Sequence, residues 1–453
     1  MAENPVPKMK FSREVDVRHE VDVFVAGGGP AGIAAAVTAA RQGSRVMMVD
    51  SQASFGGLGT AGGLTMFCCL GDGVNFVAGG IGRDVYESLR SRNGLSFNLP
   101  PHELGNVIYR IEVLKRVYDD LVMASGAGFS LCTQCIGLEM ARPGVAQAAI
   151  CNGKSGLFAV RAAVFVDATG DGDLCAWAGA PYEKGDASGR MQPGTLCSAW
   201  ADIDWARAYA AGHGLWQQQA QLPRAFGKKV FEVEDAHLPG MLPIGPHTGG
   251  GNIGHAFGVD GTDERSLTRA LVEQRRRLLD YERFYKEYLA GFERMELVST
   301  GALMGIRETR RILGDYVLNV EDFKKQSVFD DEIGRFCYPV DVHPTTPETA
   351  DHAKFEEEFQ RLRYGPGESY GIPYRVLTPR GLDNILVAGR CVSTDRSIQG
   401  SLRVMPGCLI TGQAAGMAAS LMAKENKRSR DISIAALQAG LRGMGAYLPN
   451  AAV

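Results

Sequence analysis

The sequence predicts an α/β protein built on a parallel sheet, with a more irregular segment inserted into it. Three observations carry this prediction. Near the N-terminus an apolar strand, a glycine-rich turn, a helix and a second apolar strand follow within roughly 30 residues, a βαβ unit of the kind parallel sheets are made from. Near the C-terminus another short apolar strand runs into Gly389-Arg390, and a long alanine-rich helix follows. Glycine is in excess, at 57 of 453 residues, against a usual ~7%. It shows no Gly-X-Y period, so it must serve turns and close backbone approaches.

Composition bounds the rest. The length fits about three domain-equivalents, or one large fold with an insertion. The charges nearly cancel, with 48 Lys+Arg against 51 Asp+Glu, which argues against the concentrated basic field that nucleic acid or a membrane surface would need. An apolar content of 45% excludes wholesale disorder. Ten cysteines are too sparse for a disulfide-stapled secreted scaffold. Residues 1–20 are charged and lack the apolar core of a signal peptide. The uncharged stretch 23–40 is better read as a core strand-turn-helix than as a membrane span. The expectation is a soluble, cytoplasmic protein with no nucleic-acid or membrane partner; a homodimer is compatible with the sequence.

In chain order, residues 1–20 read as a loose lead-in, 21–26 as a buried strand, 33–42 as a helix stopped by Gly43, and 45–50 as a strand ending in Asp50. The glycine-rich stretch 55–82 is too long for an ordinary connection and reads as functional. Helical spacing covers 107–125. Strands are predicted at 129–140, 145–151 and 157–162, with Asn152-Gly153 as a turn, and at 163–168. A long amphipathic helix spans about 263–292, and Arg275-Arg276-Arg277 lie on its solvated face. A strand at 384–388, a helix at 406–423 and a terminal helix at 431–443 complete the chain. The predicted division is 1–188 and 376–453 for the sheet domain and 189–375 for the insert.

Gly27-x-Gly29-x-x-Gly32 lies after a strand and before a helix, and Asp50 ends the next strand 18 residues beyond Gly32. That context predicts a dinucleotide site of Rossmann type. Gly27 permits the tight turn, Gly29 lets a pyrophosphate approach the backbone, and Gly32 lets helix and strand pack closely. Pro30 and Ala31 open the helix whose N-terminus faces phosphate. Asp50 accepts hydrogen bonds from a ribose, with Ser51 and Gln52 beside it. No second strand-placed G-x-G-x-x-G exists. Gly249-Gly250-Gly251-Asn252-Ile253-Gly254 reads as a loop, so a separate NAD(P) domain is not expected.

Further blocks extend the pattern. They are Val25-Ala26-Gly27-Gly28-Gly29-Pro30-Ala31-Gly32, Gly56-Gly57, Asp167-Ala168-Thr169-Gly170-Asp171-Gly172-Asp173, Gly305-Ile306-Arg307-Glu308-Thr309-Arg310-Arg311, Tyr338-Pro339-Val340-Asp341-Val342-His343, residues 384–390, and Arg403-Val404-Met405-Pro406. Together they resemble the glutathione-reductase-like FAD flavoproteins. They are closer still to bacterial FAD-dependent oxidoreductases related to the flavin subunit of heterodisulfide reductase. The resemblance spans about residues 21–448. It implies a Rossmann-like, glutathione-reductase-type FAD-binding domain with a small antiparallel sheet, assembled from both ends of the chain, plus an inserted α+β substrate domain. It implies that Ile136 contacts adenine through its backbone. The Ala168-Thr169-Gly170 turn should pack at the phosphate-ribose region, and Gly56, Gly57 and Leu58 should lie on the flavin side. Many relatives carry Gly-Asp after the last strand. This chain carries Gly389-Arg390, which points Arg390 toward pyrophosphate instead.

Flavin oxidoreduction needs a substrate carbon facing the ring and a group to take a proton. Leu402, Arg403 and Val404 precede the helix starting near Pro406 and should lie at the flavin, where a helix N-terminus or a cation stabilises negative charge. Arg403 is expected to stabilise the flavin or anchor an anionic substrate. His343 is the expected base. Tyr374 and Arg307 are further candidates, with Arg310, His247, Asn252 and His255 behind them; a buried network around Glu308 is the duller reading of the arginines. Cys132-Thr133-Gln134-Cys135 sits on a predicted strand, so its thiols should point apart. Cys68-Cys69 could form a redox-active disulfide, though two buried thiols are the simpler expectation. No metal cluster is visible from spacing. The expected function is an FAD-dependent oxidoreductase moving a hydride equivalent between a small carboxylate- or polyol-like substrate and non-covalently bound FAD, with an electron acceptor not identified. The alternatives are an electron-transfer subunit serving a protein partner, and thiol–disulfide chemistry at Cys68/Cys69.

Overall fold

The computed structural model describes residues 9–96 and 104–451. Part of the lead-in, residues 1–8, lies outside the described residues.

The central sheet has seven strands. We label six of them β1 (Asp16–Ala26), β2 (Val46–Val49), β3 (Gly128–Ser130), β4 (Gln134–Arg142), β5 (Val145–Gly153) and β6 (Gly156–Asp167), and the seventh β7 (Ile385–Val387). The strands β3, β2, β1, β6 and β7 run parallel, in that spatial order. β4 and β5 join antiparallel on the same edge of β6 that receives β7. β6 is long enough to hold both. Its first half pairs with β5, from Gly153↔Gly156 to Ala148↔Arg161, and its last residues pair with β7, from Ile385↔Phe165 to Val387↔Asp167. A strand more than 200 residues away in sequence is thus added beside a local hairpin. The strands β1, β2 and β7 are buried continuously where they meet, as parallel strands covered on both faces must be.

Several elements differ from the sequence-based expectation. β1 begins at Asp16, inside the expected lead-in, because its polar first half extends the pairing with β6. The expected strand 129–140 is broken into β3 and β4 by a connection in which Cys132 adopts φ +51. The expected strands 157–162 and 163–168 form one strand. The β5–β6 turn is Lys154-Ser155, while Asn152 and Gly153 remain paired. Gly249–Asn252 is a strand, not a loop. It lies between Gly240–Pro243 and Ser198–Ala201 in a four-stranded antiparallel sheet completed by Glu296–Thr300. Backbone pairing there needs no side chain, so periodicity could not reveal it.

The helices are α1 (Pro30–Arg41), α2 (Ile81–Ser91), α3 (Ile111–Ser125), α4 (Glu264–Tyr288), α5 (Thr349–Arg361), α6 (Arg396–Leu402), α7 (Met405–Glu425) and α8 (Ile434–Gly443), with shorter turns between them. Among the described residues no single helix is long and apolar enough to cross a membrane; the bent α6–α7 pair matches by length and composition alone. The inserted segment is divided. Aromatic and aliphatic residues from Trp200 to Met295 form a second core. Ile312, Ile333, Phe336, Tyr370 and Ile372 join the first core with the sheet.

The N- and C-terminal parts meet through α1 and α7. A Cβ on Gly412 would lie 2.1 Å from the Ala31 carbonyl oxygen, and one on Gly416 would lie 2.2 Å from that of Ala35. The two backbones are therefore in contact along one turn, with no room for a methyl group. Gly416→Ala is expected to destabilise the protein by about 1–3 kcal/mol, against the ~1 kcal/mol gain that alanine brings to a free helix. Gly443→Ala in α8, where a Cβ meets nothing within 4 Å, should be neutral or slightly stabilising. Urea unfolding of the two variants checks both signs.

Candidate functional site

The carboxyl ends of β1, β2, β6 and β7 open on one cavity of about 500 Å³, the position at which parallel α/β sheets bind ligands. Its wall includes Gly27, Gly29, Pro30 and Ala31 after β1, Asp50, Ser51 and Gln52 after β2, Gly57 and Leu58, Ala168, Thr169 and Gly170 after β6, Gly389 and Arg390 after β7, and Arg403 and Val404 before α7.

Local geometry explains the glycines. Gly27 has φ +99, and a Cβ there would lie 2.4 Å from the Ala168 carbonyl oxygen. A Cβ on Gly32 would lie 1.7 Å from the Gly27 carbonyl oxygen. Gly32 therefore lets α1 sit on the turn but does not line the cavity. Gly56 is also behind the wall; at φ +104 its N–H donates to the Gly28 carbonyl at 2.8 Å and ties the two glycine loops together. Gly29 is different, because a Cβ there meets no protein atom within 4 Å. Its bareness serves the cavity rather than the fold.

The Asp50 Oδ2 accepts the Gly28 N–H at 2.5 Å and its Oδ1 accepts the Gln52 N–H at 2.6 Å. Burial raises its pKa despite these bonds. Each oxygen keeps a lone pair for a hydroxyl donor. Two helix N-termini, those of α1 and α7, also meet this cavity. Neither N-cap, Gly29 or Val404, has a side chain that caps, and neither first turn carries an acid. Unpaired N–H groups at both ends of one cavity fit a ligand with an anionic group toward α1 and an electron-rich group toward α7.

The Arg390 guanidinium donates to the Gly170 and Ile306 carbonyls and, at 2.5 Å, to Asp171 Oδ1. It lines the cavity, but two of its donors hold the 168–171 turn and a third holds Ile306, and Asp171 balances its charge. Ile136 is not in the wall. Its side chain is 43% exposed, and Thr133, Gln134 and Cys135 take the place expected for it, because the backbone turns at Cys132 before β4 starts. Leu402 is buried behind the wall, at the end of α6.

A second cavity of about 530 Å³ adjoins the first and shares Leu58, Leu64, Met66, Cys68, Arg403 and Val404 with it. Arg307, His237, His343, Asp341 and Asn252 are among its polar groups. Arg307 is buried and donates only to the Pro193 carbonyl at 2.7 Å and the Thr195 hydroxyl at 2.9 Å. It has no carboxylate partner among the described residues, and burial lowers its pKa to about 10. The Glu308 network is real but excludes it: Glu308 accepts from Arg311, Arg396 and the Gln192 N–H. Arg310 pairs with Asp173. The Arg403 Nη2 donates to Asp341 Oδ2 at 3.0 Å, while its Nε is buried without an acceptor.

His343 is buried with both nitrogens engaged. Its Nδ1 lies 3.0 Å from His255 Nε2, and its Nε2 lies 3.2 Å from Asp341 Oδ1. Burial lowers the pKa of His343, His255 and His237. The pairing with His255 joins segments 88 residues apart, which spacing in the sequence does not signal. Tyr374 lines neither cavity. It is a core residue whose hydroxyl donates to the Ser429 carbonyl at 2.9 Å, which corrects its candidacy as a catalytic residue. His247 borders the Ile203 carbonyl at 3.3 Å instead of either cavity. Cys68 and Cys69 are both free. Burial raises the Cys68 pKa, and the thiol paired with Cys69 is that of Cys337.

A Rossmann-like sheet with an uncapped glycine turn at its carboxyl edge defines a dinucleotide-binding α/β protein. The kind is set by the sequence as a whole: residues 22–441 match the FAD dependent oxidoreductase family, and the chain belongs to it. It is an FAD-dependent oxidoreductase, and FAD is its cofactor. Comparison with curated protein sequences gives no match. Among solved structures, the chain is similar to a geranylgeranyl bacteriochlorophyll reductase-like protein from Thermoplasma acidophilum, with 12% identity, TM-score 0.46, and 94% and 83% of the two chains covered. It is also similar to p-nitrophenol 4-monooxygenase from Pseudomonas putida, with 11% identity, TM-score 0.44, and 94% and 82% covered. A myxobacterial chondrochloren halogenase gives 13% identity, TM-score 0.44, and 94% and 78% covered.

Two outcomes follow from this geometry. Gly29→Ala should fold with an unchanged melting temperature as apoprotein, yet bind FAD at least ~10-fold more weakly, as read by flavin absorbance after gel filtration. Burial, together with Asp167 and Asp171, raises the Asp173 pKa from 3.8 to about 6. A carboxyl with a raised folded-state pKa loses stability as pH rises between its unfolded and folded values. The stability of Asp173→Asn relative to wild type should therefore rise as pH goes from 4 to 6, on the order of 1 kcal/mol after allowing for its partial exposure, on top of a pH-independent loss from the Arg310 ion pair, in melting curves taken across that range.

Proposed function

We propose that the enzyme moves a hydride equivalent between FAD in the first cavity and a small carboxylate-bearing substrate in the second. The order of motifs supports a glutathione-reductase-type arrangement for the cofactor half. Gly29, Asp50 and the α1 N-terminus would hold the phosphate-ribose part of FAD, and Leu58, Val404 and the α7 N-terminus its ring end. Bound FAD supplies two-electron redox chemistry that side chains cannot provide.

One observation carries the substrate class. Arg307 is a buried guanidinium, facing a cavity, with no ion-paired carboxylate among the described residues. An unpaired buried charge is costly unless a ligand completes it. Arg403 stands on the wall common to both cavities, with a buried Nε–H lacking an acceptor. A substrate carboxylate at Arg307 therefore places its neighbouring carbon toward the shared wall. Arg403 neutralises charge there, and the imidazole cluster faces the substrate's polar end. The apolar members of the wall, Leu58, Leu64, Met66 and Val404, keep water from the point of transfer. The thiol reading at Cys68/Cys69 is disfavoured because the partner of the Cys69 thiol is Cys337, while burial raises the pKa of Cys68.

Anaerobic titration with small hydroxy and unsaturated acids, and with their neutral amides, tests the proposal. Bleaching of flavin absorbance by an acid but not by its amide is expected. Arg307→Met should lower kcat/KM for that acid by at least ~30-fold, corresponding to ~2 kcal/mol for one partner of a buried charge pair, with flavin content unchanged. Equal reduction by acid and amide would overturn the assignment.

A further inference from the structure

Four of the chain's eight histidines gather on one side of the second cavity: His237, His255, His343 and His352. They come from the segments before and after the Gly240–Asn252 hairpin, from the chain following Phe336, and from α5. His237, His255 and His343 each offer one nitrogen within 4.8 Å of the other two.

The buried polar atoms make this cluster unusual. His255 Nδ1 lies 3.0 Å from Asp235 Oδ2, yet neither atom makes a hydrogen bond, and His343 Nε2 lies 3.2 Å from Asp341 Oδ1. His255 Nε2 and His343 Nδ1 face each other at 3.0 Å and share one hydrogen bond at most. His237 Nε2 is buried beside them with no partner. A metal ion can satisfy all three imidazoles.

We propose that His237, His255 and His343 bind one divalent transition-metal ion of the imidazole-preferring kind, such as zinc. Three neutral imidazoles with carboxylates behind two of them are a donor set this class accepts. Metal–nitrogen bonds of ~2.0–2.1 Å place neighbouring ligand nitrogens about 3.4 Å apart in a tetrahedron, so the His255–His343 pair must open slightly. The rings of His237 and His255 are stacked, with centroids 4.8 Å apart and planes 7° from parallel. His237 must therefore turn about its Cβ–Cγ bond to point at the ion, and no hydrogen bond at Nε2 resists that turn. Arg307 opposes a cation here, while Asp235 and Asp341 offset it. His237 also groups with His352 and Glu356, which places a further donor pair beside the site.

The functional consequence rests on the substrate reading above, although ion binding itself does not. An ion in this wall would polarise a substrate oxygen as a Lewis acid, and His343 would then be a ligand and not a base.

The test uses the FAD-loaded protein, stripped with chelator and dialysed against limiting zinc sulfate without substrate. Elemental analysis should find one zinc per chain, and X-ray absorption should find nitrogen or oxygen neighbours and no sulfur, which separates this site from the ten cysteines. Asp235→Asn should weaken binding by about 10–100-fold. His237→Gln and His255→Gln should weaken it further, with flavin content retained as the sign of an intact fold. Zinc uptake that is absent, sulfur-bound or equal in the histidine variants overturns the site, whatever the substrate titration shows. Failure of the acid titration with zinc bound at the histidines overturns the substrate reading alone.

Discussion

The constraint on which the site depends is the backbone contact between α1 and α7. Neither helix forms a cavity alone. α1 brings one uncapped N-terminus to the carboxyl edge of the sheet, and α7 brings another from the far end of the chain. Their separation and direction are set where Gly412 and Gly416 lie on the carbonyls of Ala31 and Ala35. A helix pair held apart by larger side chains would sit at an ordinary interaxial distance of 8–10 Å, and the α7 N-terminus would move away from the Gly29 turn. The same docking places β7 beside β6, so Gly389 and Arg390 enter the wall opposite Gly170.

The arginines of the site sort by who neutralises them. Arg311 and Arg396 share the buried Glu308 carboxylate. Arg310 is matched to Asp173, and Arg390 to Asp171. These four are structural clamps: Arg310 and Arg390 fasten the Gly305–Arg311 segment to the turn after β6, and Arg396 ties it to α6 through Glu308. Arg403 is half of another pair through Asp341. Arg307 alone of this group has only neutral acceptors. Because the others are satisfied internally, Arg307 is the buried guanidinium of this group open to an incoming anion.

Much of the cofactor half was legible in the sequence because its determinants are local. A strand, a glycine turn and a helix announce themselves within 30 residues; Gly32 answers to the backbone of Gly27, Gly27 to the Ala168 turn with its own motif, and Gly29 to the cavity. The α7 helix was legible from its proline and its alanine run. What was hidden depends on contacts distant along the chain. Ile136 was misplaced because a left-handed residue, Cys132, redirects the strand, and cysteine carries no signal for that conformation. The Gly249–Asn252 strand is held by pairing on both edges and not by side-chain alternation. Cys69 faces Cys337 and not its sequence neighbour. Tyr374 fills the core, where its hydroxyl meets the Ser429 carbonyl of a segment 55 residues on. The histidine cluster has no metal-like spacing because its members converge only when the insert folds over the sheet.

The two halves therefore contribute different kinds of group. Most residues against the first cavity are small or offer backbone N–H, suited to a large invariant cofactor. Arg307, His237, His343 and Asp341, which line the second cavity and not the first, all come from the insert. Substrate recognition can then be altered by side chains whose loss leaves the sheet and its glycine turn untouched. Arg403 is the exception, since it stands in both walls and is anchored through Asp341 to His343. The shared wall and the histidines are thus joined by Arg403, Asp341 and His343, three side chains in direct contact, and Arg307 adds its own charge to the same field.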